Sequence, residues 1–346
     1  FKEVEKKVKH FRSIGMDQSN IKEMYPMYEF YGGLLYEIEI LMNNIRQKLL
    51  VYDIHTVRKD LRDAIYDSEN GLNSLIGRKN IKNQIVSQIY SFSQNWRGFS
   101  KFFHNFALIG SSGIGKTKVG KVLGFVFSKC GILTKGKVLI VSRSDLVGQY
   151  IGQTAPRTRS LLFESLEGVL FIDEAYQLTS NTCSKDFGHE SITEIVNFID
   201  KYIGMNVVIV AGYEDLMKNT FFPSNEGLQR RFPYMIFLSK YNESELTDIL
   251  LNFLEKSLPD IRFNLDIKNL LFTLITKLNS NYPSSFEKQA GDILNLGGNL
   301  ITSICGSYKI KWNPNNFENC KQIVCDGVIN FLEMKNIPKY SLEDLI

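Results

Sequence analysis

Short apolar runs separated by helix-length amphipathic stretches fill the middle of this chain, from Leu75 to about Lys240. Phe106–Ile109, Val138–Val141, Val169–Ile172 and residues 207–210 and 235–238 are rich in β-branched and aromatic residues and too short for helices. They lack the alternation of a half-exposed strand. Unbroken apolar character marks strands buried on both faces, and the helical stretches between them predict a parallel sheet covered on both sides. After Tyr241 the strand pattern stops, and residues 243–254, 267–278, 286–305 and 320–335 show helical periodicity. Before the sheet, Leu34, Leu35, Ile38, Leu41, Ile45 and Leu49 mark one apolar helix face, interleaved with Glu37, Arg46 and Lys48. Tyr25-Pro26 and Gly32-Gly33 break the chain ahead of it. That face either packs within the chain or receives a partner. With Asp67-Ser68-Glu69-Asn70-Gly71 as linker, the expected organisation is an N-terminal helical segment over residues 1–70, an α/β domain over 71–240 and a helical domain over 241–346.

Two motifs bring chemistry to this frame. Gly110-Ser111-Ser112-Gly113-Ile114-Gly115-Lys116-Thr117 is a complete G-x-x-x-x-G-K-[ST] phosphate-binding loop, lying between an apolar strand and a helical stretch. Its glycines let backbone N–H groups turn around a β-phosphate, Lys116 spreads positive charge over the β/γ oxygens, and the Thr117 hydroxyl is a Mg²⁺ ligand. Further on, Gly168-Val-Leu-Phe-Ile-Asp173-Glu174 is an apolar strand ending in two acids. Such a pair lies over the crevice where α/β sheets bind ligands. Asp173 is expected in the Mg²⁺ shell and Glu174 as the group that polarises an attacking water. Together they predict binding and hydrolysis of a nucleoside triphosphate.

Composition narrows the partners. Lys+Arg 41 against Asp+Glu 37 leaves a net charge of +4, too slight and dispersed to argue for nucleic acid. Cys130, Cys183, Cys305, Cys320 and Cys325 are scattered with no C-x-x-C, which suits reduced thiols in an intracellular setting without a zinc site. No apolar run approaches the roughly 18 residues of a membrane span. The expectation is a soluble, cytoplasmic protein. The chain opens on Phe1, which is compatible with a piece of something longer, and with an organelle if a targeting segment has been removed.

With both phosphate motifs, the α/β core and the trailing helices in place, the chain resembles the AAA+ ATPases, and within them the red-type Rubisco activase (CbbX-type) group. The resemblance runs through Asp145-Leu-Val-Gly-Gln-Tyr150-Ile151-Gly152-Gln-Thr-Ala-Pro156, Gly168 to Tyr176 and Ala211-Gly-Tyr213-Glu-Asp215, and covers roughly residues 72 to 300. It implies a five-stranded parallel sheet with an α-helical lid, ATP and Mg²⁺ as ligands, and a homo-oligomer, a hexamer by family expectation. Leu75-Ile76-Gly77 resembles the segment bordering the adenine. Tyr150-Ile151-Gly152 resembles the aromatic–hydrophobic–glycine loop that grips a protein substrate in a central pore. Gly227-Leu-Gln-Arg230-Arg231-Phe232 resembles the segment that sends an arginine to a neighbour's site, Arg231 being the preferred finger and Arg230 the alternative. The resemblance also departs in two places. Tyr213 stands where many relatives carry a polar sensor, its hydroxyl still able to orient water. Gly291 stands where the lid carries an arginine, with Lys288 a possible substitute. A remodeler of protein substrates is thus the leading expectation, against a nucleic-acid-linked loader or helicase and an ATP-gated assembly scaffold.

Overall fold

The computed structural model describes residues 63–94, 104–130, 132–179, 187–306 and 312–337. All of them belong to one compact unit, Leu61–Ile346. The amphipathic face expected at Leu34 to Leu49 lies outside the described residues.

Five parallel strands, β1 (Phe106–Ile109), β2 (Val138–Val141), β3 (Val169–Ile172), β4 (Val207–Gly212) and β5 (Tyr234–Phe237), form one sheet in the order β2-β3-β4-β1-β5. Register is direct: Ile109 lies beside Gly212 and Phe237, and Ile172 beside Val141 and Val210. The strands therefore end level, and the loops after β1, β3 and β4 converge on one edge. β1, β3 and β4 are buried at every position, whereas the edge strands expose Ile140 and Phe237. This is why the central strands read as unbroken apolar runs.

Helices cover both faces. α1 (Lys79–Gln94) and α2 (Lys116–Lys129) are set against Phe106, Leu108, Phe171, Ile209 and Ala211 through Ile81, Ile85, Val119, Leu123 and Phe127. Each large side chain fully buried here contributes about 1.5–3 kcal/mol. The alternate residues Leu170, Ile172, Val208 and Val210 face the other way and are equally buried. α3 (Thr154–Glu164) and α4 (Gly188–Lys201) supply that layer, locked to each other by a Thr158–Ser191 hydroxyl contact at 2.9 Å and an edge-on Phe163–Phe198 pair.

The helical region, α5 (Glu243–Ser257), α6 (Leu265–Asn281), α7 (Ala290–Gly306) and α8 (Phe317–Met334), has its own core of Leu246, Leu250, Leu274, Phe286, Ile293, Leu300 and Phe331, among others. Asn242 caps α5 reciprocally: its side chain accepts from the Glu245 N–H at 2.8 Å, and Glu245 accepts from the Asn242 N–H at 3.1 Å. The periodicity over 286–305 predicts one helix, and the structure divides it. A 3₁₀ turn, Pro283–Phe286, is followed by Gln289 at φ 47, and only then does α7 begin. Gln289 stabilises the break by donating to the Phe286 carbonyl at 2.9 Å. Among the described residues, no helix is long and apolar enough to cross a membrane.

Candidate functional site

At the level edge of the sheet, the turn after β1 and the acids after β3 open onto a cleft of about 510 Å³. Its floor is Ser112 to Lys118 with Asp173 and Glu174; one side is Ser74, Leu75 and Ile76; the other is Tyr241, Ile249, Ala290, Gly291 and Leu294. The glycine turn, the acid pair and the Leu75-Ile76 segment thus meet in one place. Within the last group the sequence singles out only the Gly291 segment: Ile249 and Leu294 are ordinary apolar positions on lid helices, and Tyr241 marks only the end of the strand pattern.

The turn is held open by conformations that glycine takes freely. Gly113 and Gly115 have φ of 68 and 91. Gly113 is crowded as well, since a Cβ there would lie 1.8 Å from the Lys288 carbonyl oxygen and 3.3 Å from the Gly291 nitrogen. Loop and lid therefore meet backbone to backbone. The lid position expected to lack its arginine is thus also a point of close approach, where a Cβ on Gly291 would lie 3.8 Å from Gly113 Cα. Lys288 does not line the cleft, and its N–H donates to Asp292 at 2.7 Å.

Lys116 is buried, and its Nζ donates to the carbonyls of Gly110 and Ser111, both at 2.9 Å. Burial lowers its pKa, opposed by the charges of Glu174 and Asp173. An incoming anion would replace two neutral acceptors with a charged one and raise the ammonium's basicity. Glu174 shifts the other way: burial raises its pKa, Lys116 pulls it back, and Asp173 adds to the rise. It also sits in the left-handed region at φ 51, and its N–H donates to Asp173 Oδ1 at 3.0 Å. Backbone strain at a carboxylate of raised basicity is a pattern of functional positions. Tyr213 follows β4 with its ring 5.1 Å from Lys116 Nζ and 5.8 Å from the Tyr176 ring. It comes to the cleft's edge as an aromatic face beside the ammonium.

The other candidate residues lie elsewhere. Tyr150 and Ile151 are 68% and 77% exposed, and Gly152, at φ 80, has open space around it. Their turn is anchored at its base. The Gly148 N–H donates to the buried Thr154 hydroxyl at 3.0 Å, Thr158 Oγ1 donates to the Leu146 carbonyl at 3.0 Å, and Arg157 Nε to the Asp145 carbonyl at 2.6 Å. The two arginines differ in their surroundings. Arg231 is buried, its Nε donating to Asp200 Oδ1 at 2.7 Å, a second nitrogen to Asp200 Oδ2, and Nη1 to the Gly227 carbonyl at 2.8 Å. Arg230 is exposed. This ion pair, whose acid lies 31 residues away at the end of α4, engages the preferred finger Arg231 within its own chain and leaves the alternative, Arg230, free of it.

A phosphate-loop sheet of this strand order, with an apposed helical lid, is the architecture of an ATPase. A match to the ATPase family associated with various cellular activities (AAA) spans residues 106–237. Stage V sporulation protein K of Bacillus subtilis is 33% identical over 227 residues, covering 62% of this chain and 70% of that protein. The chain therefore belongs to the AAA ATPases, and nucleotide binding and ATP hydrolysis come with that membership. It is also similar to protein CbbX of Cereibacter sphaeroides, 41% identical over 140 residues, 40% of this chain and 45% of that protein. Protein CfxQ of Xanthobacter flavus is 40% identical over 143 residues, 41% of this chain and again 45% of the relative. The chain thus spans less than half of the CbbX and CfxQ proteins. Among solved structures, the FIGL-1 AAA domain aligns with a TM-score of 0.50 at 17% identity, over 86% of this chain and 94% of that one, a likeness of fold.

Proposed function

We propose that this chain assembles with copies of itself, as a hexamer, into a ring that uses ATP hydrolysis to pull on a protein segment gripped at Tyr150 and Ile151. The observation that carries this reading is the exposed aromatic and aliphatic pair on a turn whose base is pinned by hydrogen bonds, two of them buried. Large apolar side chains held out on a rigid mount are costly in water and suit contact with another chain, and an aromatic face grips polypeptide without demanding a sequence.

ATP occupies the cleft, with its base between Leu75-Ile76-Gly77 and the lid and its phosphates in the glycine turn. Lys116 leaves the Gly110 and Ser111 carbonyls for the β/γ oxygens. The Thr117 hydroxyl and the Asp173 carboxylate, both lining the cleft, are hard oxygen donors of the kind Mg²⁺ takes, and the ion would neutralise phosphate charge there. Glu174, with its raised basicity, accepts a proton from the attacking water, while the Tyr213 ring restricts Lys116 from one side. Arg230 of one protomer, exposed beside its own fixed Arg231, supplies the guanidinium that offsets charge in the neighbour's site.

Trapping tests the reading. The Glu174→Gln chain should bind ATP, assemble, and cross-link an unfolded probe such as casein through a photoreactive residue at position 150, with ATP and not with ADP. Casein should stimulate wild-type ATPase and leave Tyr150→Ala unstimulated while its unstimulated turnover persists. Equal stimulation of both would remove Tyr150 from this role, and assembly without capture would favour an ATP-gated scaffold.

A further inference from the structure

Among the described residues, the lid faces the cleft without a cationic side chain. The sequence contains no arginine after Arg262, and the only cations among the described residues lining the cleft, Lys116 and Lys118, belong to the glycine turn and α2. A charged contact between the loop and the lid has to come from outside the lid, and one arginine is placed to make it.

Arg78 follows Gly77 at the start of α1, and the two residues are left-handed in succession, at φ 56 and 65. Glycine takes that conformation freely and arginine does not. The Arg78 side chain is buried, 8% exposed. One guanidinium nitrogen donates to the Ile114 carbonyl, inside the phosphate loop, at 2.9 Å, and another to the Ser239 carbonyl, between β5 and the lid. The guanidinium carbon lies 3.8 Å from the centroid of the Tyr241 ring, while Nε is buried with no partner among the described residues. Two carbonyls and a ring face thus hold a buried cation, with no carboxylate among these contacts. That is an expensive arrangement for packing alone.

Tyr241 carries the connection onward. Its N–H donates to Gln289 Oε1 at 3.1 Å, and Gln289 donates to the Phe286 carbonyl at 2.9 Å, at the turn that starts α7. Its hydroxyl lies 2.9 Å from where a Cβ on Gly115 would stand. The same strained turn is wedged against the first lid helix, since a Cβ on Gly77 would fall 1.8 Å from Glu245 Oε1.

We propose that the Arg78–Tyr241 clasp couples the phosphate loop to the lid. When the loop's N–H groups close on phosphate, the Ile114 peptide moves. Arg78 carries the displacement to the Ser239–Tyr241 linker, and Gln289 passes it to α7. Arg78 is a positioning residue: it acts on turnover through loop and lid without touching substrate. The proposal rests on the cleft being the nucleotide site.

Hydrogen exchange of the full chain, with and without ADP, reads the coupling directly. In wild type, ADP should protect both the 110–117 loop and the 286–300 segment. Arg78→Leu should keep the loop protection, lose the lid protection, and lower kcat about tenfold, inside the range typical of coupling between sites, with KM within about threefold. Tyr241→Leu should likewise lose the lid protection and lower kcat, whereas Tyr241→Phe, which keeps the ring, should retain the lid protection. If Arg78→Leu does not fold, the Tyr241 pair carries the test. Wild-type kcat and lid protection in Arg78→Leu, or in Tyr241→Leu, would overturn the coupling. Absence of ADP protection at 110–117 in wild type would overturn the nucleotide-site reading itself.

Discussion

Replacing Gly113 with alanine adds one methyl group where the phosphate loop meets the lid, and the cost can be worked from the geometry. An L-residue held at φ 68 costs about 1–2 kcal/mol relative to its preferred conformations. The new Cβ would also begin 1.8 Å from the Lys288 carbonyl oxygen, whereas carbon and oxygen settle no closer than about 3.3 Å. Loop and lid must therefore separate by about 1.5 Å, widening the cleft at the place where both walls touch the ligand. If about 2 kcal/mol of this falls on the nucleotide-bound form, affinity drops roughly thirtyfold. Titration with a fluorescent ADP measures that, and thermal denaturation of the apo chain measures the remainder. Gly152→Ala separates the two contributions, because Gly152 is left-handed at φ 80 with nothing within 4 Å of its added Cβ. It should lose about 1 kcal/mol of stability from strain and leave ADP affinity unchanged. A Gly113→Ala chain binding ADP within about twofold of wild type would refute the close approach of lid and loop and the account of the cleft built on it.

The acid and arginine positions make two further predictions. Because burial raises the Glu174 pKa, Lys116 opposing the rise and Asp173 adding to it, folding disfavours the ionised carboxylate relative to the unfolded chain. The associated stability is present below the ordinary glutamate pKa and is lost as pH rises through the raised one. Glu174→Gln should therefore melt higher than wild type at pH 7 and turn over ATP at least about a hundredfold more slowly. Wild-type turnover should fail on the acid side at a pH above the ordinary glutamate range. A pH–rate profile and paired melts check this, and normal turnover in the Gln variant would remove Glu174 as the base. Arg231→Ala should lower stability by about 1–3 kcal/mol by removing a double hydrogen bond to Asp200. Arg230→Ala should leave the melt unchanged and cut turnover at least about a thousandfold. Mixing Arg230→Ala with Glu174→Gln chains should then restore part of the activity, since each supplies what the other lacks. No recovery on mixing, or full turnover by Arg230→Ala alone, would count against a finger at that position.

What the sequence made legible was whatever chemistry or burial forces into contiguous residues. Strands buried on both faces show as apolar runs, and their bounds fall within a residue or two of expectation: β4 continues through Ala211 and Gly212, and β5 lies one residue earlier, at Tyr234–Phe237. The loop at 110–117 is readable because one turn of backbone must surround a phosphate. What stayed hidden depends on partners distant in sequence. The resemblance prefers Arg231 to Arg230, and the pairing of Arg231 with Asp200 shows only in the fold. Tyr241, Ile249 and Leu294 became a wall of the cleft only when the lid folded against the loop.

The break before α7 belongs to that hidden class and bears most on the mechanism. A continuous helix from 286 would deny Gln289 its left-handed backbone and, with it, the side-chain position that accepts the Tyr241 N–H. It would also move the Lys288 carbonyl and the Gly291 nitrogen away from Gly113. The turn at 283–289 is thus the part of the lid that registers the loop. It does so through backbone and a neutral amide, where an arginine would act through charge. Contacts of that kind fall off within an ångström or two and are little affected by ionic screening, in contrast to a guanidinium reaching across a cleft. Such a lid responds to the position of the loop, and the phosphate's charge reaches it only after Lys116 and the glycine turn have converted it into displacement.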